Sequence, residues 1–375
     1  MPRFLDDTTN VKRRPAVPVK LAMIVLVALF VSVACASFPA PEIKGIKAWI
    51  NSEPMTIKGL RGKVVLIDFW TYTCVNCIRT FPYLKQWQAK YADDGLVIIG
   101  VHSPEFEFEK DYSNVLQATQ DNGITWAVAQ DNDFETWRNY GNSFWPAKYL
   151  VDKDGKVRYS HFGEGFYYET EKWIRNLLEE AGADLLDNPF EPPGDQQVDQ
   201  TYLERRNGTV TRELYAGLAM AGLGEYVRQQ DFFQNTGSVT QLKSPAEHKS
   251  GVLYFDGTWI VGPENTRHGR DTTGYEDVLS VVYSARSVNA VLTSESGQPY
   301  TVQVKLDGEF LTDANKGEDI TIGPDGASFL VVDEPRMYNV VEAPAYSQDN
   351  ALTMSSNSDD FGIFAFTFGV YQTGP

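Results

Sequence analysis

Hydrophobic residues follow two different patterns along the 375-residue chain. Between residues 41 and 184, short apolar and β-branched runs alternate with segments in which apolar residues recur every three or four positions. The runs are typical of buried strands, and the periodic segments are typical of amphipathic helices. Strands that alternate with helices form a largely parallel sheet with helices on both faces. The pattern therefore predicts an α/β domain over residues 41–184.

The predicted elements of this domain follow one another at short intervals. Strands are predicted at 63–70, 96–103 and 125–131, followed by a hairpin at 147–163 that turns at Asp154-Gly155. Helices are predicted at 75–93, 108–123, 134–141 and 169–182. The first predicted strand leads almost directly into the first helix, so residues 71–77 should lie at the junction of the two.

In the last third of the chain, apolar residues alternate with polar residues instead. Val302, Val304 and Leu306 alternate with polar residues, and Asp-Gly pairs at 256–257 and 307–308 indicate turns. Residues 252–262 are thus predicted to form two strands around the first pair. Many short strands with regular turns indicate a β-sandwich or jelly roll. We expect this all-β domain over residues 201–375, after a linker at 185–200 that is rich in Pro, Asp and Gln.

The N-terminal 40 residues are typical of an exported protein. Residues 1–20 contain five basic residues, and residues 21–38 contain no charged residue. The basic region is expected to stay in the cytoplasm, while residues 21–40 act as a signal peptide or a membrane anchor. Residues 31–35 resemble a lipobox with Cys35 as the lipidated residue, although residues 34–36 also fit an ordinary cleavage site. We therefore expect a location in the cell envelope, outside the cytoplasm, with attachment through an uncleaved helix or lipidated Cys35.

The charge and the cysteine content of the chain narrow the range of possible functions. The chain has 33 Lys and Arg against 50 Asp and Glu, a net charge of −17, which disfavours nucleic-acid binding. Cys35, Cys74 and Cys77 are its only cysteines. In an oxidising compartment, removal or lipidation of Cys35 would leave Cys74 and Cys77 as the only thiols.

Cys74 and Cys77 lie two residues apart at the predicted start of the first helix. Unpaired N–H groups and the positive dipole end of a helix favour a thiolate over a thiol, so Cys74 is the predicted nucleophile. Cys77, one turn further along, is placed to resolve a mixed disulfide. The pattern indicates a redox-active dithiol that needs no cofactor or metal.

Three other interpretations of the pair are weaker. A zinc site needs two more ligands, and the four histidines show no H-x-x-x-H spacing. A purely structural disulfide would gain little from closing so short a loop. A thiol peroxidase agrees with Thr71, three residues before Cys74, but Ile67 occupies the position where that class has proline, and we keep this activity as an alternative.

The residues around the pair resemble the thioredoxin superfamily. Asp68, Pro82 and Trp145-Pro146 match its buried acid, its helix-kinking proline and its cis-proline. The segments GKVVLIDFWTYTCVNCIRTFP and WPAKYLVDKDGKVRYSHFGEG are similar to the TlpA/redoxin-like branch. With the β domain, the likeness extends over residues 41–369 to the soluble C-terminal half of DipZ-type proteins, a thioredoxin-like domain plus a β-module. The implied fold is an α/β thioredoxin-like domain followed by an all-β sandwich or jelly-roll domain.

The resemblance implies roles for the matching residues. Asp68 would be a buried acid/base that exchanges a proton with Cys77, and burial without a charged partner would raise its pKa. Pro146 would hold an extended edge on which a substrate backbone can bind. We expect Trp70 and Trp145, which flank these residues, to contact the substrate.

Two further groups of residues have a weaker basis. The family places the PEFEFE loop near the active site, but we expect the charges of Glu105, Glu107 and Glu109 to be solvated. The β domain resembles carbohydrate-binding modules, and Trp259 is its candidate for stacking on a sugar. The alternation of Trp259 with Thr258 and Ile260 favours the other interpretation, packing in the core. The polar partners proposed for such a sugar are Asn265, Arg267 and Asp271.

The resemblance implies a thiol–disulfide oxidoreductase that acts on exported proteins, as a reductant of the cytochrome c maturation type or a similar one. DipZ-type proteins contain an electron-carrying membrane domain, so we expect a separate membrane electron donor for this chain. The alternative of another class is an envelope glycan-binding protein whose thioredoxin domain senses redox state. The expected partners are exported protein thiols and disulfides, the membrane donor and an envelope glycan.

Overall fold

A computed structural model describes residues 38–190, 210–220 and 225–370. The basic N-terminal region, Cys35 and nearly all of the predicted signal or anchor segment lie outside the described residues, as do residues 191–200 of the predicted linker. Within the described ranges, no helix is both long and apolar enough to cross a membrane.

Strands and helices alternate in the first domain, as predicted. In chain order they are β1 (Phe38–Pro39), β2 (Trp49–Ile50), β3 (Val64–Trp70), α1 (Val75–Ile78), α2 (Phe81–Tyr91), β4 (Leu96–His102), α3 (Tyr112–Asp121), β5 (Ala127–Gln130), α4 (Glu135–Asn139), β6 (Ala147–Val151), β7 (Lys156–Phe162) and α5 (Tyr167–Glu180). A 3₁₀ helix, Glu107–Lys110, precedes α3. The α/β prediction is confirmed.

The seven strands form one sheet in the order β1-β7-β6-β3-β4-β5-β2. Strands β3, β4 and β5 are parallel, whereas β6 runs antiparallel to β3. The sheet is mixed rather than largely parallel, because β6 and β7 form a hairpin that joins β3 in the antiparallel sense. Strand β3 therefore lies at the centre of the sheet, and every one of its residues is buried.

Helices cover both faces of this sheet. Trp87 of α2 and Ile174 of α5 pack with Leu66 on one face, and Trp137 of α4 packs with Phe69 on the other. The single helix predicted over residues 75–93 is two helices, because Pro82 has no N–H group for a helical hydrogen bond and interrupts the ladder. The break separates the short helix α1, which carries the cysteine motif, from α2.

The second domain is all-β, as predicted. Its strands are β8 (Leu214–Tyr215), β9 (Val239–Leu242), β10 (Leu253–Val261), β11 (Thr266–His268), β12 (Val278–Thr293), β13 (Tyr300–Leu306), β14 (Glu309–Phe310), β15 (Ile320–Ile322), β16 (Ser328–Val332), β17 (Arg336–Ser356) and β18 (Gly362–Gly369), with a 3₁₀ helix at Gln230–Phe233. They form an eleven-stranded sheet with the path β15-β16-β13-β17-β12-β10-β11-β18-β8, which β9 and β14 join at β10 and β13.

The prediction of a turn at Asp256-Gly257 is wrong. Residues 253–261 form the single strand β10, which pairs with β12 up to Asp256 and with β9 from Gly257 onwards. Gly257 adopts a φ of 108°, a conformation that glycine supports without strain, and the Asp277 side chain fills the space where a Cβ would lie. The Asp-Gly pair thus marks the change of partner within one strand, whereas the pair at 307–308 is the predicted turn between β13 and β14.

Candidate active site

The cysteine motif lies at the junction of β3 and α1. Cys74 is the N-cap residue of α1, and the backbone N–H of Cys77 donates a hydrogen bond to the Cys74 sulfur at 3.3 Å. Cys74 is partly exposed, whereas Cys77 is fully buried, and both are free thiols. Because a backbone N–H directed at sulfur stabilises its anion, this arrangement favours attack by Cys74.

Burial distinguishes the second thiol from the first. Desolvation raises the pKa of Cys77 well above its usual range, and the nearby sulfur of Cys74 and the carboxylate of Asp68 act in the same direction. Cys77 therefore keeps its proton until a base removes it. These properties suit a resolving thiol, which must wait for the mixed disulfide to form.

Asp68 lies on β3 directly opposite Lys148 of β6. The Lys148 ammonium is 3.4 Å from the Asp68 Oδ1, and both side chains are inaccessible to solvent, at 0% and 1% exposure. Burial raises the pKa of Asp68, and the Lys148 charge opposes that rise. The rise in pKa agrees with the expectation, but the acid has a charged partner, because the pairing of β6 with β3 places Lys148 opposite it.

Pro146 lies at the same end of the sheet as the cysteines. The pairing of Phe69 with Ala147 places Pro146 beside the end of β3, and the Trp145–Pro146 peptide bond is cis, as in the family pattern. The Pro146 carbonyl accepts a hydrogen bond from the Gly163 N–H at 2.8 Å. Trp145 donates from its Nε1 to the Ser103 carbonyl at 3.0 Å and retains some exposed surface.

Two of the three tryptophans predicted to bind substrate have no accessible ring face. Trp70 is 1% exposed and packs edge-on against Phe81. Trp259 is 0% exposed in the core of the β domain, where it packs against Phe255, so the core position is confirmed and the ring cannot stack on a sugar. Of the three, Trp145 alone can contact a substrate from its position in the structure.

The PEFEFE loop contains a buried acid that the sequence analysis treated as solvated. Glu109 is 0% exposed, and its carboxylate accepts hydrogen bonds from the Thr73 hydroxyl at 2.5 Å and the Phe106 N–H at 3.0 Å. Burial raises the pKa of Glu109, and these hydrogen bonds partly oppose the rise. Glu105 is half-buried, while Glu107 alone has a largely exposed side chain. The alternation of Glu with Phe gives no sign of this acid, because Glu107 and Glu109 are equivalent in the pattern and only Glu109 is buried.

His102 is a further buried group near the motif. Its Nε2 lies 3.3 Å from the Thr71 hydroxyl, and its ring stacks on Tyr72. Desolvation lowers the pKa of His102 to about 3, so the ring is neutral at physiological pH. The threonine that suggested a peroxidase is thus hydrogen-bonded to a neutral histidine at the end of β4.

Replacement of Lys148 should make stability depend strongly on pH. In the Lys148→Met variant, Asp68 loses the charge that opposes the rise of its pKa. A carboxyl group with a raised folded pKa favours folding while it is protonated, and that contribution is lost as the pH rises through the folded pKa. We expect the free energy of unfolding of the variant, relative to wild type, to fall by about 3 kcal/mol as the pH rises above the usual range of an Asp carboxyl group.

Urea denaturation at a series of pH values measures this effect. The double variant Asp68→Asn/Lys148→Met is the matched control, because it lacks the titrating carboxyl group and should not show the fall. A pH curve for Lys148→Met that runs parallel to the wild-type curve would contradict the assignment of Lys148 as the partner of Asp68.

Comparison with known proteins agrees with this geometry. Residues 36–170 match the redoxin family, and residues 211–369 match the family described as thioredoxin like C-terminal domain. The protein DipZ of Mycobacterium tuberculosis is 50% identical over 145 residues, which are 38% of this chain and 21% of that protein. The match thus spans about a fifth of the DipZ relative.

A smaller relative matches over nearly its whole length. The thiol-disulfide oxidoreductase YkuV of Bacillus subtilis is 30% identical over 143 residues, which are 38% of this chain and 96% of YkuV. Among solved structures, an oxidised thioredoxin-like protein is 32% identical, with 38% of this chain and 95% of that chain covered and a TM-score of 0.35. The chain belongs to the redoxin branch of the thioredoxin superfamily, the family of YkuV.

Proposed function

We propose that this protein is an extracytoplasmic thiol–disulfide oxidoreductase that reduces disulfides in exported proteins through Cys74 and Cys77. The observation that carries the proposal is the asymmetry of the pair. A partly exposed sulfur accepts a backbone hydrogen bond, and a fully buried thiol lies behind it, close to a buried carboxyl group.

The first step uses Cys74. Its thiolate attacks one sulfur of a substrate disulfide, the substrate S–S bond breaks, and a mixed disulfide forms as one substrate thiolate leaves. Trp145 and the edge at Pro146 flank the position where the substrate backbone would lie. The hydrogen bond from the Cys77 N–H to the Cys74 sulfur stabilises the negative charge of the thiolate before the substrate binds.

The second step uses Cys77 and Asp68. Asp68 accepts the proton of Cys77, the resulting thiolate attacks the Cys74 sulfur, and the second substrate thiolate leaves. The products are a Cys74–Cys77 disulfide and a substrate with two thiols, so two electrons pass from the protein to the substrate. A donor must then return two electrons to the pair, and we assign this role to a membrane electron donor.

The reductive direction rests on family likeness. The chain resembles TlpA-like proteins, and its relative YkuV is named a thiol-disulfide oxidoreductase. The substrate class that fits is exported proteins whose cysteines must be reduced before use, as in cytochrome c maturation. Sugar binding at Trp259 is not part of the proposal, because that ring is buried.

The location outside the cytoplasm rests on the uncharged segment at residues 21–38 and the basic residues before it. Alkaline phosphatase fused to the C-terminus should be active in living cells and should sediment with membranes. An inactive fusion would contradict export. A fusion that is active but released in soluble form would contradict attachment.

Serine variants of the two cysteines should fail at different steps. Cys74→Ser should lower the rate of dithiothreitol-driven insulin reduction to background, because no attacking thiolate remains. Cys77→Ser should also lose turnover. When its reduced form is mixed with substrate in the absence of dithiothreitol, it should accumulate a mixed disulfide, visible on non-reducing gels as a band that dithiothreitol removes. Wild-type activity in Cys74→Ser would contradict the proposed nucleophile.

Asp68→Asn should slow only the second step. Asparagine cannot accept the Cys77 proton, so release of the mixed disulfide should become about 100-fold slower at pH 7, while its formation rate stays close to wild type. Stopped-flow measurement of both phases with a disulfide peptide tests this split. Equal slowing of both phases would contradict the acid/base role of Asp68.

A further inference from the structure

The β domain contacts the active-site region through a chain of hydrogen bonds. We define the acidic loop as residues 105–109. The Tyr215 hydroxyl, on β8 of the second domain, donates to the Glu105 Oε1 at 2.6 Å. A residue of the second domain is therefore hydrogen-bonded directly to the loop beside the cysteine motif.

The chain continues from Glu105 to the residue before Cys74. The Glu105 backbone N–H donates a hydrogen bond to one carboxylate oxygen of Glu109. The other oxygen accepts a hydrogen bond from the Thr73 hydroxyl at 2.5 Å. Thr73 immediately precedes the nucleophilic cysteine. Four residues, Tyr215, Glu105, Glu109 and Thr73, thus connect the second domain to the turn on which Cys74 lies.

Apolar contacts hold the same loop against the β domain. Phe106 and Phe108 stack on each other, and both rings pack edge-on against Phe364 of β18 at centroid distances of 5.1 and 4.9 Å. The Phe106 ring also lies near the Tyr215 ring. The loop is therefore fixed on one side by aromatic packing and on the other by its buried hydrogen bonds.

The charges at this contact make the tyrosine hydroxyl important. Burial raises the pKa of Glu105, as do the neighbouring carboxylates of Glu213 and Glu109, and burial raises the pKa of Glu213 to about 7. Burial and the two carboxylates near it raise the pKa of Tyr215, so its hydroxyl keeps the proton and remains a donor. A half-buried carboxyl group such as that of Glu105 is destabilised when it loses its hydrogen-bond donor and tends to rearrange.

We propose that Tyr215 of the β domain is a positioning residue of the redox site, which acts through Glu105, Glu109 and Thr73 to hold Cys74 against the Cys77 N–H. This inference rests on the proposed function and adds a role for the second domain in it. Tyr215 does not touch the reacting sulfurs. It keeps the acidic loop in the one arrangement that fixes the turn before Cys74.

The Tyr215→Phe variant of the full chain tests this inference, because it removes one oxygen atom and keeps the ring. We expect the rate of Cys74 with the disulfide reagent DTNB to fall three- to tenfold. We also expect the equilibrium constant of the Cys74–Cys77 pair with glutathione to change at least threefold. Tyr226→Phe is the matched control, because Tyr226 packs against the Tyr215 ring but lies outside the hydrogen-bonded chain. It should match wild type in both measurements.

A double variant tests the route. If Tyr215 acts through Glu105, Tyr215→Phe added to Glu105→Gln should change the DTNB rate by less than twofold beyond Glu105→Gln alone. Additive effects would overturn the proposed route. A Tyr215→Phe protein that melts at a lower temperature but keeps the wild-type rate and equilibrium constant would show a purely structural residue and would overturn the inference.

These readouts do not depend on a protein substrate. If the wild-type protein failed to reduce insulin while Tyr215→Phe still lowered the DTNB rate, the proposed function would fail and the positioning role would stand. If insulin reduction were found and Tyr215→Phe behaved like Tyr226→Phe, the proposed function would stand and the positioning role of Tyr215 would fail.

Discussion

The account depends on one hydrogen bond, from the Cys77 N–H to the Cys74 sulfur, and on the strand–helix junction that forms it. Strand β3 ends at Trp70, and the first turn of α1 directs a backbone donor at the side chain of its own N-cap residue. The same turn carries Cys77 inward, where water cannot reach it. One local geometry thus creates both an exposed sulfur that can attack and a buried sulfur that can follow.

Behind this junction the protein buries ionisable groups, which stability alone does not explain. A buried ion pair such as Asp68 and Lys148 is often no more stable than well-packed apolar residues of the same size. Its position close to Cys77 instead suits proton exchange with a thiol whose pKa burial has raised. Glu109 is a second buried acid, and its contact with Thr73 links the motif to the loop that the β domain holds.

The sequence was sufficient for features encoded by neighbouring residues. The apolar run of β3, the cysteine spacing and Pro82 lie within one short segment, so the strand, the motif and the proline that matches the family could all be predicted. Contacts between residues that are distant in the chain could not be predicted in this way. Lys148 is 80 positions from Asp68 in the chain and meets it only because β6 pairs with β3.

Other predictions failed because local patterns have more than one tertiary outcome. The Asp-Gly pair at 256–257 has the composition of a turn, yet it lies within β10 where that strand changes partners. The acidic loop has the charge of a solvated segment, but contact with Tyr215 and Phe364 from a distant part of the chain buries two of its glutamates to different degrees.

The central claim is that Cys74 and Cys77 form one reversible two-electron couple. Equilibration of the wild-type protein in glutathione buffers of stepped potential, followed by alkylation and intact-mass analysis, counts the free thiols directly. The account predicts that both thiols disappear together, with a tenfold change in the equilibrium ratio for every ~30 mV, as expected for two electrons. Loss of the Cys74 thiol alone, as a stable glutathione adduct with Cys77 still free at all potentials, would contradict it.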